Sequence, residues 1–489
     1  MTANRCQEGG GKMLYWVGMA KIQKRSVRKI NSVALAGLVL LAGVLVYALW
    51  QVGKSQFFPG EAGGSLASIS VDARIRQGEL VPFWRNLAQG GEDRQPRFSE
   101  LKNEITALEP EYIRIDHVYD FYEPVSRVDG KLTFDWERLD RVVEQITAMG
   151  ATPFFSLSYM PGAISRSDLL DKPVNWSEWA EVVRATVAHY SGRAEYNLDG
   201  VAYEIWNEPD LFGNWRLYGD KDYRQLYRFA VAGAQQAGEV NSFKIGGPSI
   251  TAPYKNWVDN FLDYTVANRT RIDFYSWHRY AVAPTDFLKD VNRVDTWLFK
   301  NGGLTLEKFL TEAGPVADNS PLNDSNFAGA HLVAMMRQLI NRVDRVFSFE
   351  IYDGKAADGR KYWGRWGLLT HPDLGVEKKP RYRALLMLNK MNGERVELSG
   401  EGNWVSGFAT QGAEGLKIIL VNVDSTGRHL ETFPLTVKHL TPGEWLVKES
   451  YLVGANRETQ LTVTEDLVMH LTLGPNNIVL VELQPLPID

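Results

Sequence analysis

Between residues 67 and 391 the chain alternates short, apolar, β-rich runs with longer stretches whose apolar positions recur at helical spacing, the rhythm of βα units repeated around a parallel sheet. Eight runs read as strands: residues 68–71, 112–115, 153–157, 201–205, 244–247, 272–275, 308–311 and 346–350. Helices fit between them. Residues 135–146 align Leu139, Val142, Val143 and Ile146 on one face, with Asp135 as N-cap and Gly150 as the stop; residues 179–190 behave similarly. Eight such units predict an α/β fold, a (β/α)8 TIM barrel over residues 67–392. A doubly wound sheet would share the alternation, but no glycine-rich phosphate loop follows an early strand.

After residue 392 the rhythm changes. Short β-rich runs at residues 404–409, 416–423, 433–437, 445–451, 461–463, 467–473 and 478–483, separated by turn residues, predict a C-terminal antiparallel β-sandwich over residues 393–489. At the other end, residues 33–50 form an uninterrupted apolar run of 18 residues, long enough to cross a hydrocarbon core at about 1.5 Å per residue. Lys21, Lys24, Arg25, Arg28 and Lys29 precede it and only Lys54 soon follows. The positive-inside bias therefore predicts one transmembrane anchor, with residues 1–32 as a basic cytoplasmic tail. Residues 51–66 would be a linker, and all that follows extracytoplasmic. A cleaved signal peptide fits less well, because the run is longer than usual and no small-x-small site follows it.

Charge sharpens this division. The chain carries net −5, but residues 1–32 hold seven basic residues against one acid, Glu8, so the remainder is strongly acidic. An acidic body argues against nucleic acid as a partner. The single cysteine, Cys6, rules out an intramolecular disulfide and a cysteine-based metal site. None of the eight histidines forms a His-x-His or His-Glu-x-x-His pair, so neither a metal nor a cofactor is expected.

In a βα barrel the chemistry belongs at the C-terminal ends of the strands. Two motifs lie there: Glu204-Ile205-Trp206-Asn207-Glu208-Pro209 after the fourth strand and Leu310-Thr311-Glu312-Ala313-Gly314 at the end of the seventh. Carboxylates on facing sides of a cleft are what glycosidic cleavage requires, one protonating the leaving oxygen while the other attacks the anomeric carbon or activates water. Alone, Asn-Glu-Pro equally suits a helix start with Asn207 as cap. The joint placement with Glu312 makes glycoside hydrolysis the leading reading.

Further motifs occur in one order along the chain: Phe134-Asp135-Trp136 with Leu139-Asp140, Gly150-Ala151-Thr152-Pro153-Phe154-Phe155 leading to Tyr159-Met160-Pro161, Gly246-Gly247-Pro248, Ser276-Trp277-His278-Arg279-Tyr280, and Lys379-Pro380-Arg381-Tyr382-Arg383-Ala384-Leu385. With the two glutamate motifs they resemble the clan A glycoside hydrolases. The likeness is strongest to family 39, the group of β-xylosidases, α-L-iduronidases and bacterial exopolysaccharide glycosidases, over residues 67–489. The resemblance implies that Glu208 is the acid/base and Glu312 the nucleophile of a retaining double displacement. It implies that Asn207 bonds the sugar 2-hydroxyl, that Tyr280 donates to Glu312, and that Arg114 helps keep Glu312 ionised. His278 is either a pocket residue or a structural histidine bonded to backbone, and His117 joins the substrate-binding candidates.

Tyr159, Trp206, Trp215, Tyr218, Trp277, Trp363 and Trp366 lie at or beyond strand ends, and two or three of them are expected to stack on sugar. Glu350 either binds a hydroxyl or pairs with a cation. The chain departs from the xylosidase pattern at Ser156, where relatives tend to carry glutamate, and at Ala313, where many carry an aromatic. The first difference favours the exopolysaccharide branch, with a cell-surface or extracellular polysaccharide as substrate, and the second suggests a different floor to the pocket. The competing reading is a non-catalytic carbohydrate-binding or assembly component of a polysaccharide export system.

Overall fold

A computed structural model describes residues 64–487 apart from Glu92, Leu304, Ala357 and residues 359–363. The apolar run at residues 33–50, and Trp363, lie outside the described residues; among those described, no helix is long and apolar enough to cross a membrane.

Eight parallel strands close into a barrel: Asn86–Gln89, Tyr112–Ile115, Thr152–Leu157, Val201–Ile205, Phe243–Ile250, Phe274–Tyr280, Glu307–Gly314 and Arg345–Phe349, the last pairing back to the first. Seven of the expected strands are found, two of them, Tyr112–Ile115 and Val201–Ile205, with the same limits. The eighth expectation fails. Residues 68–71 belong to the strand Ile69–Glu79, which leaves the barrel entirely and pairs with Glu394–Ser399 and Glu431–Lys438 in the C-terminal sheet. The true first barrel strand, Asn-Leu-Ala-Gln, did not read as a strand because polar Asn86 and Gln89 bound it, yet both are buried.

The barrel interior is a packed core. Strand period two turns Ala88, Tyr112, Phe154, Ala202, Phe274, Phe309 and Phe347 inward as one cluster, where the Phe274 and Phe309 rings stack at 4.5 Å and two alanines make room for the aromatics. One step further toward the C-terminal ends the inward row turns polar, with Arg114, Ser156 and Glu204 all fully buried.

Helices cover the outside. Trp176–Ser191 begins where the Asn175 side chain accepts from the Ser177 amide, and Tyr223–Gln235 where Asp222 accepts from Arg224. These two helices touch at Gly233, where a Cβ would stand 2.0 Å from the Ala180 carbonyl oxygen. Gly233→Ala would gain about 1 kcal/mol of helix propensity. Forcing two packed backbones apart costs about 1–3 kcal/mol or more. A net loss of stability is therefore expected in denaturant titration; an unchanged or raised midpoint would contradict the close approach.

The C-terminal sheet has nine strands, ordered from Arg457–Val463 at one edge to Leu467–Leu473 at the other, antiparallel except where Ile69–Glu79 meets Glu431–Lys438. Trp445 and Val447 near one edge share a core with Phe433, Leu435 and Leu471 near the other, so the sheet folds over on itself. Barrel and sheet lie in one compact unit, Ser65–Asp489. The helix Asn326–Leu339 is buried on nearly every side because it is wedged between them.

Candidate active site

At the C-terminal mouth of the barrel a cavity of about 380 Å³ is lined by Tyr159, Asn207, Glu208, Tyr280 and Glu312, together with His117 and Trp366. A larger cavity, of about 640 Å³, lies among Arg97, Arg138, Arg141, Lys355 and Asp373. Of its carboxylates, Glu100 and Asp373 are both ion-paired with Arg97, and neither glutamate motif reaches it, so the chemistry singles out the smaller one.

Two local irregularities aim the glutamates. On the seventh strand Phe309 points inward and Leu310 outward, so strict alternation would send Glu312 outward. Register shifts against both neighbouring strands between Leu310 and Ala313 break the parity, and Glu312 faces the cavity. After the fourth strand Trp206 and Glu208 adopt left-handed backbone conformations, with φ +74° and +44°. For side chains of this kind such geometry costs about 1–3 kcal/mol each and clusters at active sites. The kink buries the Trp206 ring against Tyr159 and Trp215 and leaves Glu208 at the opening.

The carboxylates approach closely: Glu208, Glu312 and His278 each present an atom within 4.8 Å of the others. Retaining glycosidases hold their carboxyl groups about 5–5.5 Å apart, inverting ones about 6.5–9.5 Å. The spacing is that of a retaining pair. A metal ion could also use it, but these atoms already engage one another and their neighbours.

Glu312 Oε2 accepts from the Tyr280 hydroxyl at 2.9 Å and Oε1 from Arg114 Nη1 at 3.2 Å. The Arg114 guanidinium also donates to Glu204 at 2.8 Å and to Asn207 Oδ1 at 2.8 Å, so one buried cation ties three motifs together. His278 Nδ1 sits 2.8 Å from Glu208 Oε1 and 3.5 Å from Glu312 Oε2, with Nε2 on the Ser249 hydroxyl.

Burial pushes the Glu312 carboxyl up to about 7, against the pull of His278 and Arg114. For His278 the balance is reversed: burial opposes its charged form, but the Glu312 and Glu208 carboxylates outweigh burial and raise its pKa. Activity that needs ionised Glu312 must fall as pH drops through about 7. Tyr280→Phe removes a donor to the charged form, which raises the Glu312 pKa further, so the acid limb of kcat/KM is expected at higher pH. An unmoved limb would show that it reports another group.

The expected residues divide by depth. His117, Tyr159, Asn207, Glu208, Tyr280, Glu312 and Trp366 line the cavity. Arg114 and His278 lie fully buried beneath it, touching the carboxylates. Trp277, expected as a sugar contact, is instead a core residue on the outer face of its strand, and Trp206 and Trp215, in the loop after the fourth strand, are core residues too; Tyr218 is exposed and does not line the cavity. Glu350 is buried and accepts from Gln89 Nε2 at 2.9 Å, and does not line the cavity. Gly91, Asp116, Phe212 and Phe349 line it and were not foreseen. Asp116 and Phe349 were within reach of period two, since they continue the inward rows of Arg114 and Phe347.

The comparisons with known proteins agree with the fold. The chain is 25% identical over 377 residues to a β-xylosidase of Caldicellulosiruptor saccharolyticus, covering 69% of this chain and 74% of that one. It superposes on the crystal structure of a monomeric β-xylosidase from Caulobacter crescentus with TM-score 0.75 at 21% identity, covering 86% of this chain and all of the other. The GH39 enzyme from Xanthomonas axonopodis pv. citri gives TM-score 0.74 at 18% identity, covering 86% and 98%. At such identities the two structural likenesses establish the fold. The pattern of the glycosyl hydrolases family 39 matches residues 67–415. With that match spanning most of the chain and a retaining pair of carboxylates at the barrel mouth, the chain belongs to glycosyl hydrolase family 39 and is a retaining glycosidase.

Proposed function

We propose that Glu312 attacks the anomeric carbon while Glu208 protonates the leaving oxygen, and that Glu208 then takes a proton from the water that releases the sugar from Glu312. The observation that carries this reading is the difference in surroundings. Glu312 accepts from two donors, Arg114 and Tyr280, which favour its ionised, nucleophilic form against the burial that raises its pKa, whereas among the described residues the Glu208 carboxylate bonds only His278, at the cavity mouth. Asn207, fixed by Arg114 and by the Tyr159 hydroxyl at 3.3 Å, is placed to bond a sugar hydroxyl beside the reacting carbon.

The substrate we favour is a cell-surface or extracellular polysaccharide of the exopolysaccharide kind, with the enzyme tethered through residues 33–50 and its barrel outside the cell. The 18-residue apolar run with Lys21, Lys24, Arg25, Arg28 and Lys29 before it and only Lys54 soon after supports the tether. Xylose is not assumed. Relatives are named as β-xylosidases, but solved structures of the same architecture are also named as a glucosidase and an α-L-arabinofuranosidase. Ser156 turns its hydroxyl to the Trp206 carbonyl at 3.0 Å and does not line the cavity. A series of 2-deoxy-2-fluoroglycosides of different sugars tests both parts: covalent labelling of Glu312 is expected, and the sugar that labels fastest identifies the glycone. Labelling elsewhere would overturn the assigned roles, and xylose labelling far ahead of every other sugar would overturn the substrate.

A further inference from the structure

The inward row of the second strand runs Tyr112, Arg114 and then, just past the strand end, Asp116. The first fills the aromatic core and the second holds the buried glutamates. The third reaches the cavity, where its carboxylate joins Tyr159, Glu208 and Glu312 in the lining although the residue is only 7% exposed. Among the described residues nothing donates a hydrogen bond to that carboxylate; His117 and Arg114 act on it only through their charge. The carboxylate opens only onto the cavity, where water meets it until a ligand with hydroxyl donors takes that place.

We propose that Asp116 determines which sugar the cavity accepts, by receiving hydrogen bonds from two neighbouring hydroxyls of a neutral pyranose. A carboxylate offers two oxygens side by side, and vicinal hydroxyls offer two donors at matching spacing. A nucleophile-bound sugar would then be gripped on one flank by Asn207 and on another by Asp116. His117 stands next to this carboxylate. Its Nδ1 is engaged by Asp120 at 2.8 Å, and its Nε2 edge packs so tightly over Gly91 that a Cβ there would lie 2.4 Å away. Of these two neighbours, Asp116 is the one with free acceptor capacity toward the cavity. With Glu208 protonated for catalysis, the Glu312 and Asp116 carboxylates still repel an anionic sugar in the cavity of about 380 Å³, so a uronide is a poor substrate. The burial that raises the Asp116 pKa is relieved when hydroxyl donors arrive.

This inference rests on the glycosidase reading above, and the test separates the two. Wild type, Asp116→Asn and Asp116→Ala are assayed on the best neutral p-nitrophenyl glycoside, on its 3-deoxy and 4-deoxy analogues, and on the corresponding uronide. In the wild type, removing at least one of these hydroxyls is expected to lower kcat/KM roughly 10- to 100-fold, the size of a hydrogen bond to a charged group. In Asp116→Ala the same deletion should cost less than about threefold, because its partner is already gone, and the near-isosteric Asp116→Asn should fall between. Labelling of Glu312 by the fluoroglycoside persists in both variants. Deoxy penalties unchanged by the substitutions, or a uronide turned over as well as the neutral glycoside, would overturn the proposal. Loss of labelling in the wild type itself would instead overturn the parent mechanism.

Discussion

Glu208→Gln should lower turnover of a glycoside with a poor leaving group by roughly 10²–10⁴-fold, the usual contribution of a positioned proton donor. Glu312→Gln should lower it at least as far with any leaving group, because no covalent intermediate can form. Neither change should unfold the protein. Burial already favours the neutral form of Glu312, so an uncharged amide of the same shape is tolerated there, and Glu208 stands at the cavity mouth. Azide gives the two roles separate signatures. Glu208→Ala leaves the sugar–Glu312 ester intact, and azide can attack it in place of activated water, yielding a glycosyl azide with the configuration of the substrate. Hydrolysis that survives both substitutions, or a retained azide product from Glu312→Ala instead, would refute the assignment.

The second large effect falls on stability. Arg114 and Glu204 are both fully buried and pair at 2.8 Å. Arg114→Met strands Glu204 in the barrel interior with no cation, and breaking a buried pair in this way costs about 3–5 kcal/mol. Chemical denaturation should show that loss. Adding Glu204→Gln should recover much of it, because the stranded charge is removed as well, and the two changes should therefore be far from additive. Catalysis should not recover: Glu312 and Asn207 have both lost a donor. A single variant destabilised by less than about 1 kcal/mol would mean that Glu204 finds another partner.

The strands that the sequence misjudged show where local pattern stops being informative. Ile69–Glu79 buries alternate residues over its first half and then lies exposed, the mark of a strand with one wet face, whereas the barrel strand Tyr112–Ile115 is buried on both faces. A run of four apolar-looking residues does not reveal which of these it will be, since that depends on a partner more than 300 residues away. Glu394–Ser399 escaped notice because charged residues fill half of it. The tryptophans misled for a related reason. Trp206 and Trp277 do stand at the active-site ends of their strands, but side-chain direction there is set by a left-handed bend in one case and by strand parity in the other, and both turn toward the helices.

From sequence alone the repeating βα rhythm, the change to β-rich runs after residue 392 and the two glutamate motifs were legible, because each is written in residues close together along the chain. Closure of the barrel decided the rest. It brought Glu208 and Glu312, 104 positions apart, to within a sugar's reach. It put Arg114 under both motifs, and it left Asp116 facing the cavity with no hydrogen-bond donor among the described residues. The slip in register that turns Glu312 inward exists only where the seventh strand meets its two neighbours, so no reading of that strand by itself could have found it.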